Sequence, residues 1–177
     1  MITRRDFLSC SAAAFASLMA PNVFARPHQS GERVLGFYNI HTGERLKATY
    51  WVDGQYIPEE LNAVNKLMRD HRNGERATMD PQLLDLLHKL QLKTGKTNNF
   101  EIISAYRSAA SNARLHKAGS GVAKRSLHMQ GRAIDIRLSG VELKHLRQAA
   151  LKLHAGGVGY YPNSNFIHVD TGRPRFW

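Results

Sequence analysis

Apolar and polar positions follow two periods along this chain, and the places where one gives way to the other outline its elements. From Arg33 to Ile57, "RVLGFYNIHTGERLKATYWVDGQYI" carries apolar and aromatic runs broken by the turn formers "HTGE" and "DG", and reads as β-structure. In "PEELNAVNKLMRDHR" the residues Leu61, Val64, Leu67 and Met68 fall on one face, which predicts a helix over 58–72. A second helix is marked at both ends. Asp80 caps it, Pro81 fills the first turn, Leu83, Leu87 and Leu90 form the stripe, and Gly95 stops it. "FEIISAYRS" (Phe100 to Ser108) is a strand entering a turn, and "AASNARLHKAGSG" is a short helix closing on glycines. "GRAIDIRLSG" is a strand. Ser139 and Glu142 form a capping box for the helix "VELKHLRQAALKL", which stops at Gly156 and Gly157. "GVGYYPNSNFIHVDTG" then gives two strands around the turn "PNSN". Repeats and low-complexity segments are absent from the sequence. The pattern predicts an α+β fold, an antiparallel sheet late in the chain with helices packed on one side.

The first residues do not fit that pattern. "MITRRDFLSCSAAAFASLMAPNVFARP" places two arginines before a short Ala-rich apolar run that ends at Pro21, followed by "VFA" and Arg26. A charged start, an apolar middle too short for a comfortable span and small residues before a cleavage point predict a secretory signal over residues 1–25. "TRRDFL" is similar to the twin-arginine export consensus. Residues 26–32 read as an exposed lead-in and 33–177 as a single domain, a length sufficient for one core. The expected compartment is the periplasm, with no stable membrane insertion once the signal is removed.

Export changes the meaning of the charge. The chain has 25 Lys+Arg against 14 Asp+Glu, a formal net charge of +11. Loss of Arg4, Arg5 and Asp6 with the signal removes one positive charge and leaves +10. Such a surface favours anionic partners. An exported protein meets an anionic envelope rather than nucleic acid. The single cysteine, Cys10, lies within the signal, so the mature chain has neither a disulfide nor a thiol nucleophile.

Alternation in the two late strands suggests the chemistry. In "AIDIRL", Ile134, Ile136 and Leu138 point one way and Ala133, Asp135 and Arg137 the other; in "FIHVD", Ile167 and Val169 oppose Phe166, His168 and Asp170. With the aliphatic residues of both strands on the core, Asp135 and His168 share the other face. His128 precedes the first strand, and Gly131 would let the chain turn so that its imidazole swings back over Asp135. Two histidines and a carboxylate suit a Zn²⁺ site with a fourth position for water, which the ion would acidify to a pKa of about 7. With nine histidines in the chain, a structural hydrogen-bonded cluster fits the same spacing, and both readings stand at this point. H-E-x-x-H and G-x-S-x-G are absent, and "AGSGVAK" lacks phosphate-loop spacing, reading instead as a loop near the site.

"SLHMQGRAID" resembles the S-x-H-x-x-G-x-A-x-D pattern of the zinc D-alanyl-D-alanine peptidases, "FIHVDTG" their downstream histidine motif, and "SAYRS" the "SGYRS" that precedes the zinc motif. Over nearly its whole length the chain is similar to the YcbK/MepK-like murein endopeptidases. The stretches that carry this likeness are "NIHTGE", "GVAKRSLHMQGRAID" and "AGGVGYYPNSNFIHVDTGRPRFW". The resemblance implies a hedgehog/DD-peptidase-like fold and one Zn²⁺ per chain held by His128, Asp135 and His168. It also implies action on peptidoglycan stem-peptide cross-links, either D-Ala–diaminopimelate (4,3) or diaminopimelate–diaminopimelate (3,3). Arg107, which alone would read as a surface ion-pairing residue, takes the place of the arginine in "SGYRS" and would bind the scissile carbonyl or a substrate carboxylate. Ser126, Tyr160 and Tyr161 are candidates for substrate contact, with Trp177 beside them. At least one of the two tyrosines is expected to serve packing instead.

The sequence departs from its relatives at the general base. Positions that hold Glu or His in several peptidases of the broad group are Asn165 and Phe166 here. Asp170, on the same strand face as His168, is the nearest carboxylate, either as base or as the group that orients His168, with the second role favoured. His116 and His154 are weaker proton-transfer candidates. Two rival functions remain on the sequence alone: a D,D-carboxypeptidase trimming terminal D-Ala, and a wall-binding module without catalysis.

Overall fold

A computed structural model describes residues 31–177 apart from Ser120. The expected signal over 1–25, and the lead-in as far as residue 30, lie outside the described residues. Eight strands form one sheet: β1 (Glu32–Asn39), β2 (Arg45–Val52), β3 (Gln55–Tyr56), β4 (Phe100–Ser104), β5 (Ala133–Leu138), β6 (Gly157–Tyr161), β7 (Phe166–Asp170) and β8 (Arg175–Phe176). Their order is β3-β2-β1-β4-β5-β7-β6-β8. The helices are α1 (Pro58–Leu67), α2 (Pro81–Thr94), α3 (Ala109–Lys117) and α4 (Leu143–Leu151).

The expected antiparallel sheet is corrected to a mixed one, because β1 pairs with β4 and β6 with β8 in parallel. Two helices intervene between β1 and β4, and a connection of that length is what a parallel neighbour needs. The site lies in the antiparallel part, where β5 runs between β4 and β7.

One face of the sheet carries the core. Ile134 and Ile136 of β5 and Ile167 and Val169 of β7 meet Leu35, Phe37 and Ile102 from the neighbouring strands. Leu83, Leu87 and Leu90 of α2, Val64 and Leu67 of α1 and Leu146 of α4 close over them. Each such side chain contributes about 1.5–3 kcal/mol of burial. Helices on one side therefore holds for α1, α2 and α4. α3 is different: its buried residues are Ser111 and Asn112, and Asn112 faces Arg107.

Three boundaries differ from the periodicity. α1 ends at Leu67 rather than Arg72, because the Asp70 carboxylate accepts from the backbone of Arg72 and of Ser108 and folds the chain back. The Ser139–Glu142 capping box is not formed: the Ser139 hydroxyl donates to Glu101, and Glu142 makes no side-chain cap. α4 stops at Leu151, ahead of Gly156 and Gly157, whose lack of a side chain serves close approach. A Cβ on Gly157 would stand 2.5 Å from Asp170 Oδ2.

Candidate metal centre

His128 sits on a one-turn 3₁₀ helix, Leu127–Gln130, capped by Ser126, whose hydroxyl accepts from the His128 amide at 3.4 Å. Gly131 ends the turn at φ +66°, and a Cβ there would come within 2.3 Å of the Thr78 carbonyl. The expected reversal at Gly131 is thus the one the backbone makes. Asp135 and His168 are directly opposed cross-strand partners in the β5–β7 ladder. All three side chains are buried.

Their donor atoms converge. His168 Nδ1 stands 2.9 Å from Asp135 Oδ1, His128 Nε2 is 3.2 Å from His168 Nδ1, and His128 Nε2 is 3.3 Å from Asp135 Oδ1. In a tetrahedral zinc site with bonds of about 2.0–2.1 Å, neighbouring ligand atoms stand about 3.3 Å apart. Among the described residues this is the one group of three such side chains able to share an ion.

The outer ring nitrogens decide the protonation. His128 Nδ1 donates to the Ala105 carbonyl at 2.6 Å, and His168 Nε2 donates to Asp170 Oδ2 at 2.8 Å. Each imidazole carries its proton on the outside and turns a lone pair toward Asp135. Two lone pairs and a carboxylate facing one another call for a cation, either a proton on His168 or a metal ion. Burial disfavours charge on His168, but the bonds to Asp135 and Asp170 outweigh it and raise its pKa. Burial also opposes ionisation of Asp135, yet the adjacent His128 and His168 hold its carboxyl well below the usual range. The residues present fit a divalent ion with nitrogen and oxygen preference, and zinc matches both the donor set and the spacing.

Asp170 is fully buried and saturated. Besides His168, its oxygens accept from the Gly157 and Gly172 amides and from both terminal nitrogens of Arg175, at 2.6–3.0 Å. Burial would raise its pKa, but these bonds lower it well below the ordinary carboxylate range. An ionised group with every acceptor position engaged is placed to orient His168 rather than to take a proton from water.

The donor atoms open into a cleft of about 490 Å³. Arg107 lines it, 6% exposed, with Nη2 3.7 Å from Asp135 Oδ2. Its contacts with Asn112 and Ser104 are long, 3.4 and 3.5 Å, and its Nε has no hydrogen-bond partner among the described residues. Burial lowers its pKa, with Asp135 opposing. A desolvated guanidinium with donors to spare beside the ligand cluster is suited to receive a developing oxyanion. Ser126 and Tyr161 also line the cleft.

Tyr160 lies elsewhere, packed against the core with Arg147 over its ring. His116 binds the Val122 carbonyl, and His154 lines a different pocket. Arg125 and Arg175 also line the cleft, and sequence reasoning did not single them out. A basic residue five positions after Asp170 was the available signal for Arg175, but no spacing rule distinguishes it from surface charge.

A buried His–Asp–His cluster with tied outer nitrogens, open on one side to a cleft that holds a half-satisfied arginine, is able to hold one metal ion beside a group that can bind a carbonyl oxygen. The family model described as "Peptidoglycan L,D-endopeptidase MepK" (Peptidase_M15_2) matches residues 28–177, and the chain belongs to that family. It is 41% identical over 175 residues to the peptidoglycan L,D-endopeptidase MepK of Escherichia coli (strain K12), covering 98% of this chain and 96% of that protein. It is 42% identical over 176 residues to the probable peptidoglycan L,D-endopeptidase MepK of Haemophilus influenzae, covering 98% and 95%. Among solved structures, the Serratia marcescens L-Ala D-Glu endopeptidase ChiX matches 43% of this chain and 62% of its own, with a TM-score of 0.34 and 23% identity.

Proposed function

We propose that this protein is a zinc-dependent peptidoglycan endopeptidase that hydrolyses stem-peptide cross-links during wall growth or remodelling. The observation that carries the reading is the meeting of His128 Nε2, His168 Nδ1 and Asp135 Oδ1 within 3.3 Å, with both outer ring nitrogens committed. His128, Asp135 and His168 would hold the ion. A zinc ion bound there supplies Lewis acidity and a water of near-neutral pKa. Arg107 binds the scissile carbonyl oxygen and stabilises the charge that develops on it. Asp170 keeps His168 in the tautomer that presents Nδ1. Ser126 fixes the turn that carries His128.

The family name specifies an L,D bond. In diaminopimelate cross-links the 3,3 bond joins an L-centre carbonyl to a D-centre amine, whereas the 4,3 bond is D,D, so the 3,3 link is the proposed substrate. Residues 1–25 are proposed as a twin-arginine export signal and the periplasm as the site of action, where the net positive charge holds the enzyme near an anionic wall. Among the described residues no helix is long and apolar enough to cross a membrane.

Metal analysis of the purified protein, paired with mass identification of products from defined cross-linked muropeptides, tests the reading. One zinc per chain and conversion of 3,3-linked dimers to monomers are expected. Release of single D-Ala with dimers intact would point to a carboxypeptidase, and intact dimers without any release would leave only binding.

A further inference from the structure

The cleft that Arg107 lines also contains a hydrogen bond between two aromatic side chains. The Trp177 indole Nε1 donates to the Tyr161 hydroxyl oxygen at 2.7 Å. Trp177 is held on several sides. Its backbone joins β6 through Val158 and Tyr160, its ring lies 5.3 Å from that of His168, and Arg175 stands over it at 5.1 Å. It rests on Gly159, the cross-strand partner of His168, where a Cβ would stand 2.8 Å from the indole. The Tyr161 ring is stacked on Phe166 with centroids 4.6 Å apart.

These contacts fix the phenol and assign its polarity. An indole N–H can only donate, so the tyrosine oxygen accepts from it and keeps its own proton for another acceptor. Tyr161 and Trp177 both line the cleft with His128, Asp135 and His168. Resting on the proposed peptidase reading, we infer that the Tyr161 hydroxyl donates to a peptide carbonyl oxygen of the substrate bound in the cleft that Arg107 also lines, and that Trp177 is the positioning residue that aims it. The ligand class is an extended peptide that presents a carbonyl to two donors of the cleft, one cationic and one neutral.

Binding is measured first, by calorimetry, with metal-free protein and a 3,3-linked muropeptide dimer, so that no turnover occurs. Loss of one neutral hydrogen bond predicts about three- to tenfold weaker binding for Tyr161→Phe. Trp177→Phe keeps an aromatic ring on Gly159 and should weaken binding less. In the Tyr161→Phe background it should have no further effect, because its contribution passes through the hydroxyl. With zinc restored, Tyr161→Phe should lower kcat by about 10²-fold if the same oxygen becomes the oxyanion. Undiminished binding by Tyr161→Phe, or an equal Trp177→Phe effect in both backgrounds, overturns the inference, as does absence of binding by the native protein. Native binding that weakens as expected, without cleavage when zinc is present, sustains the hydrogen bond and counts against the proposed reaction instead.

Discussion

Replacing Asp170 by Asn tests whether this buried carboxylate sets the tautomer of a metal ligand. The substitution keeps the shape and removes one charge. Oδ2 accepts from His168 Nε2 at 2.8 Å and from Arg175 at 2.6 Å, while Oδ1 accepts from two backbone amides and Arg175 at 2.8–3.0 Å. Either orientation of an amide therefore sets its NH₂ against existing donors. The less costly orientation puts it at the Oδ2 position, where fewer donors meet it and the Arg175 side chain, 34% exposed, can turn to water. His168 then has one good response: it moves its proton to Nδ1 and accepts from the amide through Nε2. Nδ1–H faces Asp135 Oδ1 at 2.9 Å, makes a sound hydrogen bond there and no longer offers a lone pair to an ion. The expected loss is about 10–100-fold in zinc affinity, or about 1.4–2.7 kcal/mol. The metal-free fold should lose about 1–3 kcal/mol, since part of the charge-assisted network survives. Competition against a chromophoric zinc chelator at neutral pH gives the affinity, urea denaturation gives the stability, and imidazole ¹⁵N shifts give the tautomer. If Asp170→Asn retains native zinc affinity within threefold while His168 keeps its proton on Nε2, the reasoning fails.

Other perturbations follow from single contacts. His168→Ala should abolish stoichiometric zinc binding and lower hydrolysis by about 10³-fold or more, with the circular dichroism spectrum unchanged; retained metal and activity would remove His168 from the site. Gly131→Ala requires a Cβ 2.3 Å from the Thr78 carbonyl at φ +66°, so it should destabilise by about 2 kcal/mol or more in urea and displace His128. Asp70, buried beneath the Ser108 and Arg72 amides, has its pKa lowered from 3.8 to about 2; burial opposes the shift, and hydrogen bonds from Ser111, Ser108 and Arg72 outweigh it. A carboxyl with a depressed folded pKa contributes its stability above the unfolded value and loses it as pH falls through the folded one. That contribution is about 2–3 kcal/mol at neutral pH, lost between about pH 4 and pH 2. Asp70→Asn should accordingly flatten the acid limb of stability measured by denaturant titration across that window.

Much of the site was legible because a strand's period is short. Alternation in "AIDIRL" and "FIHVD" separates Ile134, Ile136, Ile167 and Val169 from Asp135 and His168, and the structure puts those two groups on opposite faces. Strand adjacency was less accessible. α4 and β6 lie between β5 and β7 in sequence, so no hairpin turn announces their pairing, and β1 beside β4 carries no local mark at all. Contacts made by backbone carbonyls were also hidden. Any residue could supply the Ala105 oxygen that orients His128, so its identity says nothing. Arg107 read as a surface side chain because the groups that meet it, Asn112 of α3, Ser104 of β4 and Asp135 of β5, come together only through tertiary folding.

The same division of faces ties metal geometry to stability. The Asp135–His168 opposition belongs to the register that also pairs Ile134 with Val169 and Ile136 with Ile167. A slip of one residue in either strand would turn its two aliphatic side chains, each at most 1% exposed, away from the core. At about 1.5–3 kcal/mol apiece, that penalty fixes the register without help from the ligand cluster. The core thus holds two of the three donor atoms at ligand spacing whether or not an ion is bound, and only His128, on its one-turn helix, is placed by local means. That placement rests on Gly131, the Ser126 cap and the Ala105 carbonyl. Changes to these supports should reduce metal affinity with little loss of global stability where backbone strain is avoided, as in Ser126→Ala, whereas enlarging or shrinking the aliphatic side should cost stability first.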